Sequence, residues 1–170
     1  MKRFFVTAAI IIICFLLQTT VCQYFAVVGK VPNLLLIVVA SFAYMRGRKV
    51  GMYVGFSAGI LEDFVYGDLI GMNALLLVVV GFIVGMCSEI YYRDELSVPI
   101  ILIALSDFSY NFAFYVINFL LRGRFQVFYY IWHIILPEVV YTLLVSIFMY
   151  RLLYGLNLRI EKHEEFEEGL

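Results

Sequence analysis

Apolar residues in this chain come in long runs separated by short polar clusters. A bilayer hydrocarbon core about 30 Å thick is crossed by about 20 mostly apolar helical residues. Runs of this kind cover residues 4–23, 31–45, 50–66, 70–91, 97–121 and 125–154. The pattern predicts an all-α polytopic membrane protein with six transmembrane helices in a compact bundle. The second run is short and opens at Pro32, a residue type favoured in a helix's first turn. The third is the least apolar, because it holds several glycines together with Glu62 and Asp63. No Pro/Ser-rich linker divides the chain, so residues 1–155 read as one transmembrane domain. Residues 156–170 read as a short acidic tail, a solvated helix end.

Composition strengthens the membrane reading. Of 170 residues, 64% are hydrophobic and 15% charged, against about 45–50% and about 25% in an ordinary soluble domain. A soluble protein this small could not hide so much apolar surface. The net charge of −1 offers no basic field for nucleic acid. Cys14, Cys22 and Cys87 lie scattered within apolar runs, with neither zinc spacing nor a disulfide framework.

The cations set an orientation. With a cytoplasmic N-terminus and six crossings, Lys2, Arg3, Arg46, Arg48, Lys49, Arg93, Arg151, Arg159 and Lys162 fall inside, and only Lys30, Arg122 and Arg124 fall outside. That bias obeys the positive-inside rule, and it requires the weak third span. Both termini are then cytoplasmic. The first run resembles a signal peptide, but the residues that follow it lack a small–x–small cleavage site, so it reads as an uncleaved span.

Candidate sites are packing and recognition features. Gly51, Gly55 and Gly59 recur every four residues, so each sits about 40° round the helix from the last. In lipid, small residues let helices approach closely, and Gly81 and Gly85 on the fourth span are the natural facing pair. The stripe serves either this internal seam or a partner's helix. Asp63 ends the third span, where it can be hydrated or cap the fourth helix alongside Asp68, and Gly67 and Gly71 turn the chain. A recognition or transport role for Asp63 is the other reading.

In the fifth span Asp107, Asn111 and Asn118 share one face. An intramembrane Asp is expensive and marks a functional hypothesis; Asn111 or Tyr110 could donate to it. In the sixth span Pro137 frees the carbonyl of His133 and predicts a kink. Glu138 follows it, and with Asp107 would make one polar centre between the fifth and sixth helices. That centre is read as helix–helix glue, as a solute or proton site, or as a partner contact. No P-loop, metal-ligand spacing or nucleophile–base pair is present, so no enzyme activity and no cofactor are expected.

These residues together resemble the MreD family of bacterial rod shape-determining membrane proteins. The family pattern is a Pro-Asp before an apolar second helix, a glycine-rich third helix ending Gly-x-x-x-Asp, a glycine and Ala-Leu opening the fourth, and a late proline. Here those positions read Pro32-Asn33, Gly55, Gly59, Asp63, Gly71, Ala74-Leu75 and Pro137. Asn33 replaces the usual Asp, which removes a charge but keeps a capping side chain. The resemblance implies a non-enzymatic scaffold of the cell-elongation complex in the inner membrane. It would bind MreC and work near RodA, a class B penicillin-binding transpeptidase and MreB in lateral peptidoglycan synthesis. It also implies a fold similar to the substrate-binding subunits of energy-coupling-factor vitamin transporters. A small-molecule-binding subunit of such a transporter is therefore the alternative function, with Asp107, Asn111, Asn118 and Glu138 lining its cavity.

Overall fold

The computed structural model describes residues 2–26, 31–66, 70–90, 97–120 and 127–168. Every described element is a helix. Helix α1 covers residues 2–24, α-helical at Lys2–Leu16 and Cys22–Tyr24 with a π turn at Leu17–Val21 between them. Helix α2 is Leu34–Arg46, α3 is Arg48–Tyr66 and α4 is Met72–Ile90. Helix α5 runs from Ser97 to Tyr115 and ends in a π turn, Val116–Leu120. Helix α6 begins at Val127–Tyr130, widens into a π turn at Ile131–Ile135 and continues as Leu136–Glu168. The last helix thus carries on through Gly155 into the acidic tail.

Among the described residues, three helices are long and apolar enough to cross a membrane: Phe5–Tyr24, Ser97–Asn118 and Phe128–Arg159. They present broad apolar faces outward, including Ile12, Ile13, Ile101, Leu105, Leu144 and Phe148. Helix α2 is different. Its 13 residues span only about 20 Å at 1.5 Å per residue. From Leu34 to Met45 no side chain is more than 6% exposed. An evenly apolar helix with no polar stripe belongs inside a bundle, and α2 is the axis of this one. Helices α1, α3, α4, α5 and α6 all pack on it. The end of α1 is tied to α6 where Tyr141 Oη donates to the backbone carbonyl of Phe25, just past α1, at 3.0 Å. At the opposite end Arg46 bridges Asn157 (2.7 Å) and Thr7 (3.2 Å) and stacks over Phe42.

The α3–α4 hairpin is held by glycine. A Cβ built on Gly55 would lie 2.4 Å from the Leu77 carbonyl oxygen, and one on Gly59 would lie 2.3 Å from Ala74 Cα. At Gly51 and Gly81 each Cβ would meet the other residue's backbone, and at Gly85 it would meet Arg48. The two backbones touch along the whole seam, so the stripe is filled by the chain's own α4. Dispersion between close backbones replaces the hydrophobic drive that lipid removes.

Three helix starts differ from the expected ones. Pro32 is not in the first turn of α2; Asn33 is the N-cap, and the helix begins at Leu34. Helix α3 starts at Arg48, because Gly47, at φ +86°, breaks the chain directly before it. Helix α4 starts at Met72 rather than residue 70, because Gly71, at φ +99°, sits in the turn. Glycine is the residue that takes positive φ without strain.

Leucine at Gly55 or Gly59 forces the hairpin apart, whereas leucine at Gly155, where an added Cβ meets nothing within 4 Å, does not. Thermal unfolding in detergent should show Gly55→Leu destabilised by about 3 kcal/mol or more, at the upper end of overpacking costs. Gly155→Leu should match the parent. Equal stabilities for the two variants would contradict the seam.

Candidate functional site

The site begins with a backbone problem. The first N–H groups of an α-helix have no partner inside the helix, and in α2 they are buried. The Leu34 N–H donates to the Pro32 carbonyl at 3.0 Å. The Leu36 N–H donates to Asn33 Oδ1 at 3.0 Å, the bond that defines an Asn N-cap. The Leu35 N–H donates to Gln18 Oε1 of α1 at 3.1 Å. The Asn33 N–H itself donates to Thr142 Oγ1 of α6 at 3.2 Å. Two neighbouring helices thus each contribute one side chain to the buried end of α2.

From there the polar layer spreads. Gln18, having accepted from Leu35, donates through Nε2 to Glu62 Oε1 of α3 at 3.2 Å. The other carboxyl oxygen of Glu62 lies 3.3 Å from the Tyr110 hydroxyl of α5. That hydroxyl is also 2.8 Å from Asn73 Oδ1 of α4. Glu62, Asn73 and Tyr110 are all buried. The next residue along, Asp63, faces the α3–α4 turn. Its Oδ2 accepts from the N–H groups of Gly71 (2.9 Å) and Ala74 (3.1 Å), and its Oδ1 from that of Asn73 (3.0 Å). Asp63 is therefore the N-terminal cap of α4, where a carboxylate also meets the positive end of the helix dipole. Asp68 lies outside the described residues.

Asp107 is wholly buried on α5. Asn111, one turn on, approaches its Oδ1 at 3.4 Å and donates to its carbonyl at 3.1 Å. Thr142 is its neighbour on α6, and Glu138 and Glu62 are its like-charged neighbours. Oδ2 of Asp107 has no hydrogen-bond partner. Asn118 turns elsewhere, to the Phe114 carbonyl at 3.2 Å and Met72 Sδ at 3.7 Å. Asp107, Asn111 and Glu138 thus come together between α5 and α6, and Asn118 belongs to the contact with α4. Pro137 sits just after the π turn Ile131–Ile135, in which the Leu136 N–H reaches the Ile131 carbonyl. The helix accommodates the missing proline donor by widening. His133 is exposed there and stacks on Tyr129 at 4.5 Å.

One expectation is corrected. Tyr110 bonds to Asn73 and meets Glu62, not Asp107. Sequence reasoning also passed over Gln18, Asn73 and Thr142. Asn73 and Thr142 are each one polar residue inside an apolar run, and Gln18 opens the polar triplet Gln18-Thr19-Thr20; such signs gain meaning only from a partner far along the chain. Among the described residues no three His, Cys, Asp or Glu side chains converge to hold a metal ion.

A family model described as the rod shape-determining protein MreD matches residues 1–159. No curated protein and no solved structure matches the chain. The match covers most of the sequence, and the chain belongs to the MreD family.

Two variants probe the layer. Gln18→Leu strands the Leu35 N–H and one Glu62 oxygen, and each buried unsatisfied group costs about 1–3 kcal/mol. Urea or thermal unfolding in micelles should show a loss of that order, and adding Glu62→Leu should recover part of it. Purely additive losses would mean that the two side chains do not interact. Asp63→Ala removes three acceptor contacts at once and should cost about 2 kcal/mol, at the top of the range for lost caps. A loss below about 0.5 kcal/mol would mean that water caps α4 as well as Asp63 does.

Proposed function

We propose that this MreD-family chain is a non-enzymatic scaffold of the bacterial cell-elongation complex, held in the inner membrane by six helices with both termini cytoplasmic. The family implies a role in rod shape determination, and the match over residues 1–159 is the observation that carries this reading. Three helices have the length and apolarity of membrane spans. The buried α2, with α3 and α4 packed on it, would complete six crossings inside a protein shell. A short helix tolerates that position because protein, not lipid, surrounds it. The bias of Lys and Arg toward one side sets the orientation.

The polar side chains at the buried end of α2 hold helices together, which suits a scaffold. MreC is the partner we assign first, with RodA, a class B penicillin-binding transpeptidase and MreB in the same assembly for lateral peptidoglycan synthesis. The glycine stripe is filled by α4, so a partner helix would need another surface. The outward side of the hairpin offers one in Tyr53, Phe56 and Phe82, which are all exposed.

The protein should co-purify with MreC from crosslinked cells. A Tyr53→Ala/Phe56→Ala variant, unchanged in unfolding temperature, should recover several-fold less. Recovery equal to the parent would remove the hairpin surface from the account. Absence of MreC from the parent's own preparation would remove the partner. A vitamin recovered at stoichiometric amounts would favour the transporter-subunit alternative.

A further inference from the structure

Hydrogen bonds level the helices at one end of the bundle. Arg46 reaches Thr7 of α1 and Asn157 of α6, and α3 starts at Arg48, directly after the Gly47 turn. At the other end of α2 the polar layer sets a second level. There Gln18 and Thr142 meet the backbone at the start of α2, and Gln18 meets Glu62 of α3. Between the two levels α6 runs from Thr142 to Asn157, about 22 Å of helix, beside about 20 Å of α2. The lengths match, so α6 lies along α2 rather than leaning steeply across it.

Past the polar layer the helices end at different heights. Helix α3 goes on from Glu62 to Tyr66, about 6 Å, and α1 from Gln18 to Tyr24, about 9 Å. Helix α6 reaches back from Thr142 to Trp132, about 15 Å, and begins beyond it at Val127. Helix α5 accompanies α6 there, with Tyr115 and Tyr130 stacked at 4.4 Å. Helix α4 adds no height to α3, because its first turn is tied to Asp63.

The side chains facing outward follow the same slope. Tyr and Trp collect at the headgroup level of a bilayer. Among the described residues, the exposed ones are Tyr24, Tyr53, Tyr66, Tyr129 and Trp132, all in the first or last two turns of their helices. The exposed apolar side chains of α3 run from Met52 to Val65, about 20 Å. Those of α6 run from Trp132 to Leu158, about 39 Å. A hydrocarbon core of about 30 Å fits neither face. Tipping the whole molecule would level these ends only by unlevelling the Arg46 end, so the lipid must adjust.

We propose that the outer membrane surface slopes across this protein, and that the α3–α4 hairpin is a contact surface for lipids with shorter acyl chains than those that pack on α6. Headgroups lie at Tyr66 beside the hairpin and at Trp132 beside α6. The outer leaflet is thinned on the hairpin side. The inference rests on the six-crossing reading and is independent of the choice of partner protein.

Tryptophan quenching by brominated lipid tests it on the full chain in vesicles. Trp132 is the chain's single tryptophan and reports on α6. Trp132→Phe/Phe64→Trp moves the reporter to an exposed position on α3, and Trp132→Phe/Phe56→Trp serves where that variant fails to fold. Vesicles combine brominated oleoyl phosphatidylcholine with unbrominated myristoleoyl, oleoyl or erucoyl phosphatidylcholine. The short myristoleoyl lipid should displace the quencher from the hairpin reporter several-fold better than the long erucoyl lipid does. At Trp132 the order should reverse. The same chain-length order at both positions would overturn the proposal. A hairpin reporter hidden from brominated lipid while Trp132 is quenched would also overturn it, since a second copy would then cover that face. Quenching at neither position would remove the six-crossing reading as well.

Discussion

A helix end buried in a membrane protein must find its hydrogen-bond partners within the protein, and that requirement organises this molecule. Helix α2 has no exposed side chain before its last residue, so water cannot solvate its first turn. Its donors are met instead by its own cap and by Gln18, while Thr142 takes the cap's own N–H. An unmet donor in a non-polar interior costs several kcal/mol. These bonds therefore fix the depth of α2 relative to α1 and α6 as well as stabilising it. The rest of the polar layer is a consequence. Gln18 accepts from α2 with one end of its amide and donates to Glu62 with the other. Glu62 in turn brings Tyr110 and Asn73 into register.

The α3–α4 hairpin solves a different problem with opposite means. There the contact is backbone on backbone, and side chains are absent where it is closest. Asp63 then ties the top of the hairpin through three backbone N–H groups. Glu62 and Asp63 are adjacent in sequence but point differently round the helix. One caps α4; the other faces the centre. The weakly apolar α3 thus acts as the joint between a glycine-packed pair and a hydrogen-bonded core.

Much of this was readable from local pattern. Spacing alone places Gly51, Gly55 and Gly59 on one face, and Asp63 before a glycine turn is a local capping arrangement. Asn33 before a leucine run is another. Long-range pairing was not readable. Thr142 meets the backbone of Asn33 across 109 residues, and Tyr110 meets Asn73 across 37; no periodicity encodes either contact. The π turns escaped for a related reason. One is explained by Pro137, but those at Leu17–Val21 and Val116–Leu120 contain no proline and answer to tertiary packing. Pro32 misled because proline suits a first turn in general, while the cap that follows it moved the helix start two residues on. A partner surface is not legible on the outward faces, where apolar residues look alike whether lipid or protein covers them.

The central claim is that protein side chains, not water, satisfy the first turn of α2. Residue-resolved hydrogen–deuterium exchange of the full chain in lipid nanodiscs tests it most directly. The account predicts that the amides of Leu35 and Leu36 exchange as slowly as that of Ala40 in the middle of the helix. Exchange at Leu35 and Leu36 as fast as at an ordinary frayed helix end would contradict it.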